Sequence, residues 1–214
     1  MKNIEIKAAV RNRILEENFR KTGDFLVPVT ISNRHIHLDR KAMDVLFGVG
    51  TELTFKSDLM QPGQFASNEL VTLRTKKGEL KNVRVLGPLR PETQVELSMT
   101  DARVLGVKPF IRMSGDLKGT PGITIIGPKG TLELAEGVII ARRHLHITPE
   151  QAELYGVKNG DNVSLHIDGE RPMDISGFIA RVSASAQFEA HVDTDEANAA
   201  CITNDILLKA TVVK

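Results

Sequence analysis

The chain has 214 residues with 28 lysines and arginines against 27 aspartates and glutamates, six histidines, one cysteine, one tyrosine and no tryptophan. A balanced charge with no basic run and almost no stacking aromatics excludes a nucleic-acid binder, and apolar runs of only a few residues exclude a membrane span or secretory leader, so a cytoplasmic protein is expected. The lone Cys201 rules out an internal disulfide, and its alanine-rich surroundings point to a small packed residue, not a nucleophile.

Residues 1–22 stand apart. Ile6, Val10, Ile14 and Leu15 fall at helical spacing, charges fill the other faces, and Lys21-Thr22-Gly23-Asp24 closes the segment. This predicts an amphipathic helix appended to a β-rich body, either a docking tail or a helix packed on its own domain. From Phe25 the chain alternates strands and turns. A strand covers 27–32, Asp39 caps a short helix over 40–47, and Gly48 and Gly50 end it. Strands at 70–74 and 80–86 flank a Lys76-Lys77-Gly78 turn as a hairpin, and Gly87-Pro88 breaks it. A short strand at 94–97 leads to Thr100 as the cap of a helix that stops at Gly106, and a polar, glycine-rich loop follows at 115–121. A second hairpin joins 123–126 to 131–134 through Gly127-Pro128-Lys129-Gly130. Thr148-Pro149-Glu150-Gln151 carries a capping box, and strands follow at 163–167, 173–180 and 189–192 before Thr194 opens the last helix.

A unit of strand, threonine cap, short helix and return to strand thus repeats at Thr100, Thr148 and Thr194. It predicts a mainly β protein with short helices (α+β): two small β-barrels capped by helices, one from 25–33 plus 142–214 and the other from 34–141.

Two stretches share a pattern that composition does not explain. Ser32-Asn33-Arg34-His35-Ile36-His37-Leu38 and Arg142-Arg143-His144-Leu145-His146-Ile147 each follow an apolar β-branched run. Alternate strand residues point to one face, which sets the imidazoles of each pair side by side with Cα atoms roughly 7 Å apart. One such pair alone is more often solvated or hydrogen-bonded; duplication, with an arginine before each copy, favours one metal or two neighbouring metals. His191 also ends a strand before a helix and joins the candidate set, whereas His166, in mid-strand beside Asp168, reads as a surface residue. Glu96 is the leading carboxylate because its strand precedes the Thr100 unit, although taken alone it is an ordinary exposed strand residue. Arg90 leads into that strand, and a guanidinium beside a metal suits a phosphate or carboxylate oxyanion; its bland reading is a surface arginine.

These motifs, together with Gln61-Pro62-Gly63-Gln64, Lys81-Asn82-Val83-Arg84, Leu86-Gly87-Pro88-Leu89-Arg90, Leu117-Lys118-Gly119-Thr120-Pro121-Gly122-Ile123 and Asp193-Thr194-Asp195-Glu196-Ala197-Asn198-Ala199-Ala200, resemble the PduL-type phosphate propanoyltransferase family over about residues 25–205. The resemblance implies two β-barrel domains and two zinc ions, for which another divalent metal could stand in. One zinc would be held by His35, His37 and Glu96, and the other by His144, His146 and His191. Arg90 would be the catalytic, phosphate-binding residue. Coenzyme A, as substrate, would lie against Ile31, Ser32, Asn33, Lys77, Arg84 and Asn198.

The implied reaction interconverts propanoyl-CoA, or acetyl-CoA, and phosphate with acyl phosphate and free CoA by direct attack, without a protein nucleophile. The family's setting implies propanediol degradation, a bacterial microcompartment lumen, a homo-oligomer, and an encapsulation helix in residues 1–22 that meets shell or core proteins. The chain departs from the family pattern at Cys201, where glycine is expected, and in its apolar ending, 206–213. Two rivals remain: a cupin-like metal-dependent dioxygenase or isomerase using His144, His146 and Glu150, and a structural protein stapled by its metal.

Overall fold

The structure, a computed structural model, describes residues 3–204 and 206–213. Positions 1 and 2 of the predicted N-terminal helix and positions 205 and 214 of the 142–214 segment lie outside the described residues. The chain opens with α1 (Asn3–Thr22), β1 (Leu26–Ser32), β2 (His35–His37), α2 (Arg40–Phe47), β3 (Phe55–Asp58), β4 (Phe65–Arg74) and β5 (Glu79–Gly87). It continues through β6 (Gln94–Glu96), α3 (Met99–Leu105), β7 (Phe110–Arg112), β8 (Ile123–Ile126), β9 (Thr131–Leu134) and β10 (Val138–Ala141). The last third holds β11 (His144–Ile147), α4 (Pro149–Tyr155), β12 (Asn162–Ile167), β13 (Met173–Val182), β14 (Glu189–Asp193), α5 (Thr194–Ala200) and β15 (Leu207–Val213). Two compact units result: Met1–Ser32, Met60–Pro62 and Arg143–Lys214 in one, Asn33–Leu59 and Gly63–Arg142 in the other.

The first unit is a closed barrel in the order β1-β14-β11-β13-β12-β15. Its inward side chains alternate along each strand, as a two-residue period requires: Val27 and Val29, Leu145 and Ile147, Ala190 and Val192 belong to one core with Phe178 and Phe188. The apolar ending that fits no family motif is β15, which pairs antiparallel with both β1 and β12. It turns in Leu208 and Ala210 and closes the ladder, which removes the two strand edges an open sheet would leave.

Helix α1 packs on this same unit, but with a different face from the predicted one. Ala8 and Leu15 are buried, Phe19 meets the Tyr155 and Phe25 rings at 4.8 and 6.5 Å, and Arg11 Nη2 donates to the Phe188 carbonyl at 3.2 Å. Ile6, Val10 and Ile14 remain exposed, because the stripe that faces the barrel runs through positions 8, 15 and 19 and Leu15 alone of the predicted four lies on it.

His166 sits on the barrel surface. Its Nδ1 is 2.6 Å from Asp174 and its Nε2 3.1 Å from Asp168, and both contacts raise its pKa, that with Asp174 more.

Cys201 is exposed, not packed. It caps α5 in the left-handed region at φ 54°, the conformation for which a helix end favours glycine and in which a side chain is strained. Cys201→Gly is therefore expected to stabilise the fold by about 1 kcal/mol, less the extra freedom glycine gives the unfolded chain. Urea denaturation measures it, and a midpoint lower than that of the parent would contradict the strain.

The second unit is a nine-stranded mixed sheet, ordered β7-β10-β6-β2-β5-β4-β8-β9 with β3 on β4. The mainly β class with short helices holds, but this sheet runs from β7 to β9 with no ladder joining those two strands among the described residues. Ile36, Val83, Val85, Val95 and Val138 share a core with Met43 and Leu46 of α2 and Leu105 of α3. Strands β3 and β7 are legible only here: Phe-Lys-Ser-Asp and Phe-Ile-Arg are too short and too exposed to show an alternating pattern.

Two predicted caps move. Ser98, not Thr100, caps α3 by accepting from the Asp101 N–H at 3.2 Å, and Asp193, not Thr194, caps α5 by accepting from the Glu196 N–H at 2.8 Å. Both threonines lie one or two positions inside their helices, where the side chain cannot reach back to the free N–H groups of the first turn.

Two candidate metal centres

With the caps corrected, one five-residue pattern appears four times. It reads His35-Ile36-His37-Leu38-Asp39, Gln94-Val95-Glu96-Leu97-Ser98, His144-Leu145-His146-Ile147-Thr148 and Glu189-Ala190-His191-Val192-Asp193. The second and fourth residues enter a core, the fifth caps the following helix, and the first and third stand on the opposite face of the strand. Each ligand pair therefore leads straight into a capped helix that fixes the strand end.

The four copies pair by twos within each unit. In the sheet, β2 and β6 are antiparallel with His35 opposite Glu96 and His37 opposite Gln94. In the barrel, β11 and β14 are antiparallel with His144 opposite His191 and His146 opposite Glu189. Directly opposed residues share a face, so each unit presents a square of four side chains. The arginine before each histidine pair has a matching structural role. Arg34 binds Asp101 at 2.6 Å and Arg143 binds Glu196 at 2.5 Å, in both cases the third residue of the helix that follows the partner strand.

In the sheet unit, ligand atoms of His35, His37 and Glu96 lie within 4.8 Å of one another, and all three residues are buried. His35 Nδ1 is 2.8 Å from the Asn33 carbonyl, which fixes a tautomer with the proton there and leaves Nε2, 3.6 Å from Glu96 Oε2, to face the group. Burial is the largest influence on His37 and holds its pKa down at about 3, so it is a neutral imidazole. Burial opposes ionisation of Glu96, but His35, His37 and Arg90 together outweigh it and the carboxyl titrates below its ordinary range. For His35 the order is the same: burial disfavours the charge, Glu96 restores it, and the pKa rises.

Two residues absent from the sequence prediction, Gln94 and Ser114, complete this group with the predicted Arg90. Gln94 Nε2 donates to Glu96 Oε1 at 2.5 Å and to Ser114 Oγ at 2.8 Å, while Ser114 Oγ donates to Glu96 Oε1 at 3.2 Å. Arg90 Nη1 donates to Ser114 Oγ at 2.9 Å, and its backbone N–H bonds the Leu38 carbonyl at 2.8 Å, so the guanidinium stands at the edge of the triad. Gly87 opens the loop carrying Arg90, and an added Cβ would come within 2.2 Å of the Phe65 ring. Gln94 was hidden because an amide is not a ligand type, and Ser114 because it lies in a glycine loop far along the chain.

In the barrel unit, ligand atoms of His144, His146 and His191 also lie within 4.8 Å of one another, and the Nε2 atoms of His144 and His146 are 3.1 Å apart. Burial first, then the neighbouring imidazoles, depress His146 to a pKa of about 3. Glu150, needed by a cupin-like site, is instead exposed in the first turn of α4.

Both triads fit a divalent cation of borderline softness. They offer imidazole nitrogens with at most one carboxylate, and three protein donors each, which leaves positions open for substrate.

The residues predicted for coenzyme A divide between the units. In the barrel, Ile31 and Ser32 pair with Val192 and Asp193 at the end of β14, next to the helix that carries Asn198. In the sheet, Arg84 pairs with His35 across β5 and β2 and donates to the Ser67 carbonyl, while Asn33 supplies the carbonyl that orients His35. Lys77 lies in the β4–β5 turn, roughly 20 Å along β5 from Arg84, and is not brought to the triad.

A family model described as phosphate propanoyltransferase matches residues 28–203. A phosphate propanoyltransferase of Thermotoga maritima is 54% identical over 181 residues, 84% of this chain and 86% of that protein. Another, of Rhodopseudomonas palustris, is 50% identical over 185 residues, covering 86% and 82% of the two chains. A third, of Salmonella typhimurium, is 47% identical over 196 residues, covering 89% and 93%.

Proposed function

This chain belongs to the phosphate propanoyltransferase family and is a phosphate acyltransferase, and on that premise we propose that it interconverts propanoyl-CoA or acetyl-CoA and phosphate with acyl phosphate and free CoA, with one divalent cation, zinc by preference, in each triad. The single observation that carries the proposal is the guanidinium of Arg90 beside the buried His35-His37-Glu96 group, a cation and a ligand set placed together where an oxyanion would bind.

Arg90 takes the phosphate, because a guanidinium presents two parallel donors to a tetrahedral oxyanion and Ser114 steadies its Nη1. Glu96 is kept ionised by His35 and kept in place by Gln94 and Ser114, so that it is available as an anionic ligand. Asn33 turns the Nε2 of His35 toward the same point. A bound cation would supply Lewis-acid polarisation of a phosphate or thioester oxygen and would lower the pKa of the CoA thiol.

A phosphate oxygen attacks the thioester carbonyl, the new C–O bond forms, the C–S bond breaks, and the thiolate leaves with the electron pair. No side chain forms a covalent bond, and Cys201 is placed at the end of α5, outside both squares. Ile31, Ser32, Asn33, Lys77, Arg84 and Asn198 belong to the CoA side of this proposal. So do a homo-oligomer, a role in propanediol degradation and a microcompartment setting, in which the exposed Ile6, Val10 and Ile14 of α1 would meet shell or core proteins.

The test is thiol release from propanoyl-CoA on addition of inorganic phosphate, with acetyl-CoA in parallel. The release is expected to stop on chelation and return with zinc, and activity indifferent to a chelator that has emptied the protein of metal would overturn the two-cation part.

A further inference from the structure

The sheet triad has a guanidinium beside it, that of Arg90, whose charge acts on His35, His37 and Glu96 alike. The barrel triad has one too. Strand β13 runs parallel to β11 with Ile179 opposite His144 and Arg181 opposite His146, and registered neighbours on adjacent strands share a face. Arg181, His146 and Glu189 therefore form one row across β13, β11 and β14, on the face turned away from the core that takes in Leu145, Ala180 and Ala190.

The two ends of the row differ. Glu189 is buried and its oxygens are taken: Gln61 Nε2 donates to Oε1 at 2.6 Å, Thr30 Oγ1 donates to Oε2 at 2.7 Å, and His191 Nε2 pairs with Oε1 at 3.0 Å. Arg181 is half-buried, and no described residue accepts a hydrogen bond from its guanidinium or forms an ion pair with it. Arg143, on the neighbouring strand connection, shows the contrast, since Glu196 and the Ser176 carbonyl hold it. The charge of Arg181 nevertheless reaches the triad: burial is the largest cause of the low His146 pKa, the two neighbouring imidazoles follow, and Arg181 comes next.

A guanidinium drawn partly out of water without an acceptor has given up hydration for nothing the protein supplies. With a dication in the triad, this face carries more positive charge than Glu189 offsets, and three imidazoles leave a coordination position open. A planar fork of donors beside an open cation position suits a tetrahedral oxyanion better than a neutral ligand.

We propose that Arg181 binds inorganic phosphate at the three-imidazole centre of the barrel, as a substrate-binding residue on the strand next to that of His144 and His146. This rests on the metal-binding part of the proposed function.

The experiment loads the full-length protein with Co2+ in a His37→Ala background, which breaks the sheet triad and leaves the barrel ion as the one observed, and titrates inorganic phosphate while following the visible absorption of that ion. Arg181→Gln is expected to take up Co2+ as its parent does, with the same bands before phosphate is added, and to need about 10–100-fold more phosphate for the spectral change, the usual effect of losing a charged donor. An unchanged phosphate midpoint overturns the proposal. So does loss of Co2+ affinity in the variant, which would make Arg181 a support of the triad, and so does a parent whose bands ignore phosphate. If the glutamine variant fails to fold, Arg181→Lys carries the test, because it keeps the stem and the charge but not the paired donors: a several-fold loss of phosphate affinity supports the assignment, and a parental midpoint overturns it. Failure of the parent to bind Co2+ at all would instead overturn the metal-binding reading itself.

Discussion

Arg90→Ala is expected to lower phosphate-dependent turnover by about 10²–10³-fold, the usual effect of removing a preorganised donor to a developing negative charge, and to raise the KM for phosphate. Metal content should stay the same. The prediction separates binding of the oxyanion from assembly of the site because the two roles sit on different atoms of the loop. The backbone N–H of Arg90 holds the Leu38 carbonyl and survives the substitution, while the guanidinium donates to Ser114. Ser114 keeps its contacts with Gln94 and Glu96 in the variant, so the carboxylate remains in place. Arg90→Lys should recover only part of the loss, since an ammonium supplies charge without the paired, planar donors. Steady-state kinetics with phosphate varied, beside elemental analysis of the same preparation, reads both quantities; an unaltered KM for phosphate would remove Arg90 from the binding role.

The fold class, the two hairpins and the two histidine pairs were legible in the sequence because they rest on short-range signals. A Gly127-Pro128-Lys129-Gly130 turn between apolar runs and a His-x-His at a strand end need no tertiary information. What was not legible depends on which face meets which neighbour. Helical spacing puts Ile6, Val10, Ile14 and Leu15 on one stripe, yet α1 is seated by Ala8, Leu15 and Phe19 against α4 and the barrel aromatics. The repeating unit was visible, but anchoring it on threonine hid its true period: with Asp39, Ser98, Thr148 and Asp193 as the caps, each candidate ligand position is fixed at two or four residues before a cap. That frame would have exposed Gln94 and Glu189, which a search for histidine passes over. Ser114, Gln61 and Thr30 come from remote segments and carry no local signal.

Removal of one imidazole from either triad should remove one cation and leave the other. Two protein donors hold a borderline dication far less tightly than three, and neither square shares a side chain with the other. His144→Ala is therefore expected to carry one metal equivalent where the parent carries two, His35→Ala likewise one, and the double variant none, by elemental analysis after dialysis against a weak chelator. Turnover should fall to near background in all three if both cations are used. The surface His166 is the control: its ring is bound by Asp168 and Asp174 on the outside of the barrel, and His166→Ala should retain both equivalents. Because a ligand that binds only the folded state stabilises it by mass action, each lost cation should also lower the melting temperature measured with excess metal, while the variants and the parent should melt closer together once all are stripped. A His144→Ala protein that keeps two equivalents would show that the three imidazoles of the barrel are neighbours without being ligands.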